Sequence, residues 1–104
     1  MSPVRILLPA LLFATAAHAQ PPPKPARLGL CAACHGENGL AVAKGIPHLA
    51  GQDRDYLVAA LGQYRNGERQ AAAMRAAVGA LAQADIAALA DWYAAQPRAG
   101  GAAP

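Results

Sequence analysis

Cys31 and Cys34 are the only two cysteines in the chain, and a histidine follows at once, giving Cys31-Ala-Ala-Cys34-His35. C-x-x-C-H is the attachment sequence for a c-type haem. On a helix, residues three apart share a face, so two thiols at this spacing can form thioether bonds to the two vinyl edges of one porphyrin. The adjacent His35 then supplies its imidazole as the proximal ligand of the iron. Gly36 lets the chain turn away with no side chain against the ring. Two other uses of the thiols compete. A thioredoxin-like redox motif needs a βαβ setting that this composition does not supply. A zinc site needs four ligands, and after the cysteines only His35 and His48 lie near enough to help.

An iron held by a porphyrin and one histidine has a sixth position, and its occupant decides between carrier and catalyst. Of the two methionines, Met1 lies in a segment that reads as a removable leader, which leaves Met74 as the expected sixth ligand. A lone Met is often a gap-filler in a core. Ala71, Ala72, Ala73 and Arg75 around Met74 do not read as a periodic core stripe, which favours ligation. His48 and Lys44 are the competitors, but both follow His35 so closely that they are expected to stay on its side of the ring. A neutral thioether favours ferrous iron, so His/Met ligation raises the reduction potential relative to two imidazoles. With both axial positions filled, no substrate reaches the metal, and the expected activity is outer-sphere, one-electron transfer through an exposed haem edge.

The elements that must position these residues are helical. From Gln20 onward there are five β-branched residues (Val42, Ile46, Val58, Val78, Ile86), no Thr, and abundant Ala. Strands have almost nothing to be built from, so the fold class is all-α, with three to four helices wrapped around one covalently bound haem. A short helix over about 25–34 leads into the cysteines. A second begins after Asp53 as N-cap, carries Tyr56, Leu57, Ala60, Leu61 and Tyr64 on one face, and ends at Asn66-Gly67. A third runs over about 84–96, with Ile86, Leu89, Ala90 and Tyr93 at helical spacing, and stops before Pro97. The long connections 36–52 and 68–82 are expected to wrap something, the second with a helical turn over 74–81.

The chain opens with one Arg before an apolar run, Ile6 to Ala17, and then Ala17-His18-Ala19. This reads as a secretory signal, residues 1–19, cut before Gln20, with the periplasm as destination. The run is shorter than the roughly 20 apolar residues of a bilayer span, and Pro9 interrupts it, so no membrane-spanning segment is expected after cleavage. Residues 20–25 form a stiff proline-rich lead-in, 26–97 the domain, and 98–104 a flexible tail. The roughly 85 residues left after cleavage build a marginal core unless something staples it, and the haem is the candidate. Of the nine Lys and Arg, Arg5 lies in the leader, so eight remain against six Asp and Glu. This mild, scattered excess is no footprint for nucleic acid.

Taken in order, CAACHG, IPHLAGQ, Tyr56 and Tyr64 with the following Asn66-Gly67, Met74, and ADIAALADWYAAQ resemble a class I cytochrome c. The similarity is greatest to small bacterial cytochromes of the c553 type and to single domains of the diheme cytochromes c4. The resemblance covers nearly all of the chain after the leader. It implies one covalent haem c with its iron, thioether bonds at Cys31 and Cys34, and axial ligands His35 and Met74. It also implies that the Pro47 carbonyl orients the His35 ring through its other nitrogen. Some of Tyr56, Tyr64, Trp92 and Tyr93 would pack against the haem or at a crossing of the first and last helices. Arg54 and Gln52 could reach a propionate and are not taken as site residues.

Two places depart from the family pattern. The first helix meets prolines where the family has a small residue two turns before the first cysteine, and the last helix lacks a Ser or Thr cap at Ala82. The function expected is a periplasmic monohaem carrier, monomeric, shuttling electrons between redox partner proteins. The alternatives are a haem subunit of a larger oxidoreductase, or an open-site sensor or enzyme if Met74 does not bind.

Overall fold

Alanine-rich segments with few β-branched residues leave helix as the available regular structure, and the computed structural model, which describes residues 1–13 and 20–99, bears this out. Among the described residues there are four helices and no strand: α1 (Gly29–His35), α2 (Arg54–Asn66), α3 (Ala72–Val78) and α4 (Gln83–Ala94). None of them is long and apolar enough to cross a membrane alone. Residues 1–13 form no helix, and the expected cleavage site at Ala17 to Ala19 lies outside the described residues, as do 100–104 of the tail.

α1 is shorter than the expected 25–34. A turn at 26–28 comes first, with Leu28 N–H donating to Pro25 O at 3.2 Å, and the helix starts only at Gly29. The prolines upstream lack the N–H groups a longer helix would use. α2 begins as expected: Asp53 Oδ2 accepts from Tyr56 N–H at 2.8 Å, and Gly67 closes the helix at φ 89°, a left-handed conformation that suits glycine. α4 lacks a side-chain acceptor at Ala82. Only the reciprocal half of a cap is present, Asp85 Oδ2 accepting from Ala82 N–H at 3.0 Å. It ends at Ala94 rather than Gln96, because Pro97 forbids a further turn.

The connection expected to hold a single helical turn contains a full helix, α3, two residues earlier than 74–81 and stopped at Gly79. Met74, half-buried, packs inward with Val78 one turn later, so this segment does present an inward stripe, contrary to the aperiodic reading of its sequence. The core joins Leu57 of α2, Val78 of α3, Leu81, and Ile86, Leu89, Ala90 and Tyr93 of α4, with Leu28 closing it beside α1. The four positions expected on the inward face of α4 are all buried there. On α2 Leu57 and Ala60 are buried and Leu61 and Tyr64 pack, partly buried, against the core, whereas Tyr56 is 52% exposed.

Candidate haem site

α1 presents its two thiols one turn apart on a helix that ends at His35. Cys31 is half-buried against the core and Cys34 is exposed, and neither is in a disulfide. Burial pushes the Cys31 thiol above its ordinary range, because the thiolate would lose its hydration. His35 is buried, and its Nδ1 lies 2.9 Å from the carbonyl oxygen of Pro47. A carbonyl can only accept, so the ring proton sits on Nδ1 and the lone pair of Nε2 is left for a metal. The Pro47 carbonyl thus lies within hydrogen-bond reach of the ring nitrogen that the resemblance pairs with it.

Gly36 then reverses the chain at φ 80°. A Cβ there would collide with the Leu40 carbonyl, and this is where the absence of a side chain matters. The connection 36–52 folds on itself: Leu49 N–H and Ala50 N–H both donate to Gly39 O, at 2.8 and 3.1 Å, and Val42 N–H donates to Cys34 O at 3.0 Å. His48 is exposed, and its Nδ1 accepts from Ala41 N–H at 2.8 Å. That bond closes the loop on itself and gives His48 a structural duty.

Met74 comes from α3 and packs, half-buried, on the same core cluster that Cys31 touches. Tyr64 packs there too, with the Arg69 guanidinium 4.7 Å from its ring centroid. Arg54, weighed for a propionate, is occupied elsewhere: Nε donates to Asp91 Oδ1 at 2.8 Å and Nη1 to Asp55 Oδ1 at 3.2 Å. Gln52 Oε1 accepts from Asp53 N–H at 3.2 Å.

Three contacts were not read from the sequence. Tyr93 Oη donates to Gly36 O at 3.0 Å, Trp92 Nε1 donates to Glu37 O at 2.7 Å, and Arg98 donates twice to Gly51 O. The only signal for the first was a hydroxyl on the buried stripe of α4, which needs a partner. Arg98 opens the segment expected to be a flexible tail, and its two bonds to Gly51 O tie it to the connection 36–52. Thiols at thioether spacing, a histidine with Nε2 uncommitted and a soft thioether on α3 form a donor set that fits a c-type haem.

Comparison with known proteins points the same way. The profile of the family described as Cytochrome c matches residues 26–95. A cytochrome c-554(548) of Halomonas halodenitrificans is 38% identical over 73 residues, covering 67% of this chain and 88% of that protein. A cytochrome c4 of Pseudomonas aeruginosa is 34% identical, over 68% of this chain and 35% of its own length. A protein of Thiomonas intermedia named thiosulfate dehydrogenase electron acceptor is 37% identical over 93% of this chain and 44% of its own. The chain thus spans most of the first relative and less than half of the other two.

Proposed function

The chain belongs to the cytochrome c family, an all-α haem electron carrier of class I and not an enzyme, and we propose that it carries single electrons in the periplasm with His35 and Met74 as axial ligands. The family binds haem c covalently, and the C-x-x-C-H motif at Cys31 and Cys34 fits that attachment. When bound, the haem supplies a one-electron Fe(III)/Fe(II) couple. The chain's own residues do the rest. Cys31 and Cys34 anchor the ring edge, and Pro47 holds the His35 ring and raises its basicity. Met74 would hold the iron with its thioether and help to exclude water from it.

The observation that carries this reading is the 2.9 Å contact between His35 Nδ1 and Pro47 O, which commits one ring nitrogen and leaves the other for iron. The signal sequence read over residues 1–19 supports export, and 26–97 is the domain we assign to the haem. The partners are redox proteins. Relatives from Thiomonas intermedia and Stutzerimonas stutzeri are named for accepting electrons from thiosulfate dehydrogenase, so an enzyme of that class is the first donor to assay.

The test is an optical spectrum of the ferric protein made in a haem-attaching periplasm, beside a Met74→Ala variant. Sulfur ligation gives a weak far-red band in the parent, absent from the variant. Lack of the band in both would transfer the sixth position to another residue or to solvent, and carbon monoxide binding to the reduced parent would then support an open-site sensor or enzyme.

A further inference from the structure

The connection 36–52 leaves α1 at His35, carries Pro47 and delivers the chain to α2. Both of its ends are tied to one short stretch of chain at the end of α4. At the start, Tyr93 Oη donates to Gly36 O at 3.0 Å and Trp92 Nε1 to Glu37 O at 2.7 Å. At the far end, Gly51 N–H donates to Tyr93 O at 3.0 Å, and Arg98 Nε and Nη2 donate to Gly51 O at 3.1 and 3.0 Å. The fit is close enough to need glycines. A Cβ on Gly39 would lie 2.9 Å from Tyr93 Cδ1 and 2.5 Å from Ala50 N, and one on Gly51 would collide with the Arg98 side chain.

None of these side-chain bonds is needed to form a helix. What they fix is where the loop begins and ends relative to α4, and Pro47 sits between the two anchors. We infer that Tyr93 and Arg98 are positioning residues for the proximal histidine, clamping both ends of the loop so that the Pro47 carbonyl stays on His35 Nδ1. The inference rests on His35 being an iron ligand. Release of either anchor lets Pro47 drift and weakens its hydrogen bond. The imidazole then donates less electron density, ferric iron is less stabilised, and the reduction potential rises.

The test uses haem-loaded parent, Tyr93→Phe, Arg98→Ala and Arg98→Lys proteins. The readouts are hydrogen exchange of His35 Nδ1–H in the ferric state by NMR, the reduction potential and the thermal midpoint. Arg98 lies at the surface, so its variants fold even if Tyr93→Phe does not. Loss of either anchor is expected to speed Nδ1–H exchange by about fivefold, the effect of one lost hydrogen bond, and to raise the potential, with Arg98→Lys in between. Variants that melt earlier yet keep the parent's exchange rate and potential would show that these bonds only hold the fold, and the clamp would be refuted. A parent with no hyperfine-shifted ring signals from His35 would instead overturn the ligand reading, and the clamp with it, before any substitution is made.

Discussion

Tyr93 is 2% exposed, and burial holds its phenol well above the usual range, with the negative charges of Cys31 and Glu37 adding to the effect. Once Cys31 is a thioether it no longer ionises, and burial and Glu37 remain. In the folded chain the phenol therefore stays protonated where an unfolded one, titrating near about pH 10, would ionise. The folded pKa is the higher one, so the stabilisation is complete below about pH 10 and is lost as pH rises beyond that. Tyr93→Phe removes the donor to a buried carbonyl and should cost about 1–3 kcal/mol at neutral pH. In urea unfolding, the gap between parent and variant should be constant up to about pH 9 and shrink above about pH 10, because only the parent's unfolded state gains a titrating phenol at this position. A gap that widens at high pH would contradict this account. Cys31, Cys34 and His35 were legible in the sequence because their chemistry is encoded within five consecutive residues. The Tyr93 bond to Gly36 spans 57 positions, and no local pattern specifies such a pairing.

The helices differ in how much of each was written locally. The apolar spacing of α4 and the cap of α2 are properties of neighbouring residues, and the structure matches the sequence at both. α3 starts earlier than the expected turn over 74–81 because Ala72 and Ala73 carry no apolar signal of their own, and the inward packing of Met74 and Val78 comes from tertiary contacts. The weak point among the elements is the start of α4. Ala82 has extended φ and ψ of −74° and 161°, suited to an N-cap, but offers no side-chain acceptor to the first-turn N–H groups. Ala82→Ser supplies one opposite the existing Asp85 contact, completing the reciprocal cap, and should stabilise the protein by about 1 kcal/mol. For a domain of this size that is a rise in thermal midpoint of about 4–8 °C, measurable by calorimetry. The end of α2 gives the opposite case. Gly67 sits at φ 89°, and Gly67→Ala should cost about 1 kcal/mol by forcing a Cβ into a left-handed conformation. An unchanged midpoint in that variant would mean that the connection to α3 relaxes around the new side chain.

At the scale of the whole molecule, the buried core is built almost entirely from α2, α3, α4 and Leu81, while α1 contributes only its flank at Leu28 and the buried His35. The helix bearing the attachment cysteines thus meets the rest along one edge, through Leu28, Cys31 and Ala32 against the core and through the 36–52 connection hydrogen-bonded to α4. Each fully buried Leu or Ile contributes about 1.5–3 kcal/mol, and a core with so few of them does not clearly exceed the entropy of ordering a domain this small. A covalent haem changes this balance, because one large apolar body is tethered to α1 and takes its second ligand, on the proposed reading, from α3. It joins the two elements that protein contacts alone leave loosely related. The haem-free Cys31→Ala/Cys34→Ala chain should therefore keep part of its helical circular dichroism but lose the sharp thermal transition of the haem-loaded protein. Its near-ultraviolet signal from Trp92 and Tyr93 should be flattened as their anchors to Gly36 and Glu37 fray. If the haem-free chain melted as cooperatively as the loaded one, the four helices would be a self-sufficient scaffold, and the haem would contribute its redox chemistry without holding the fold together.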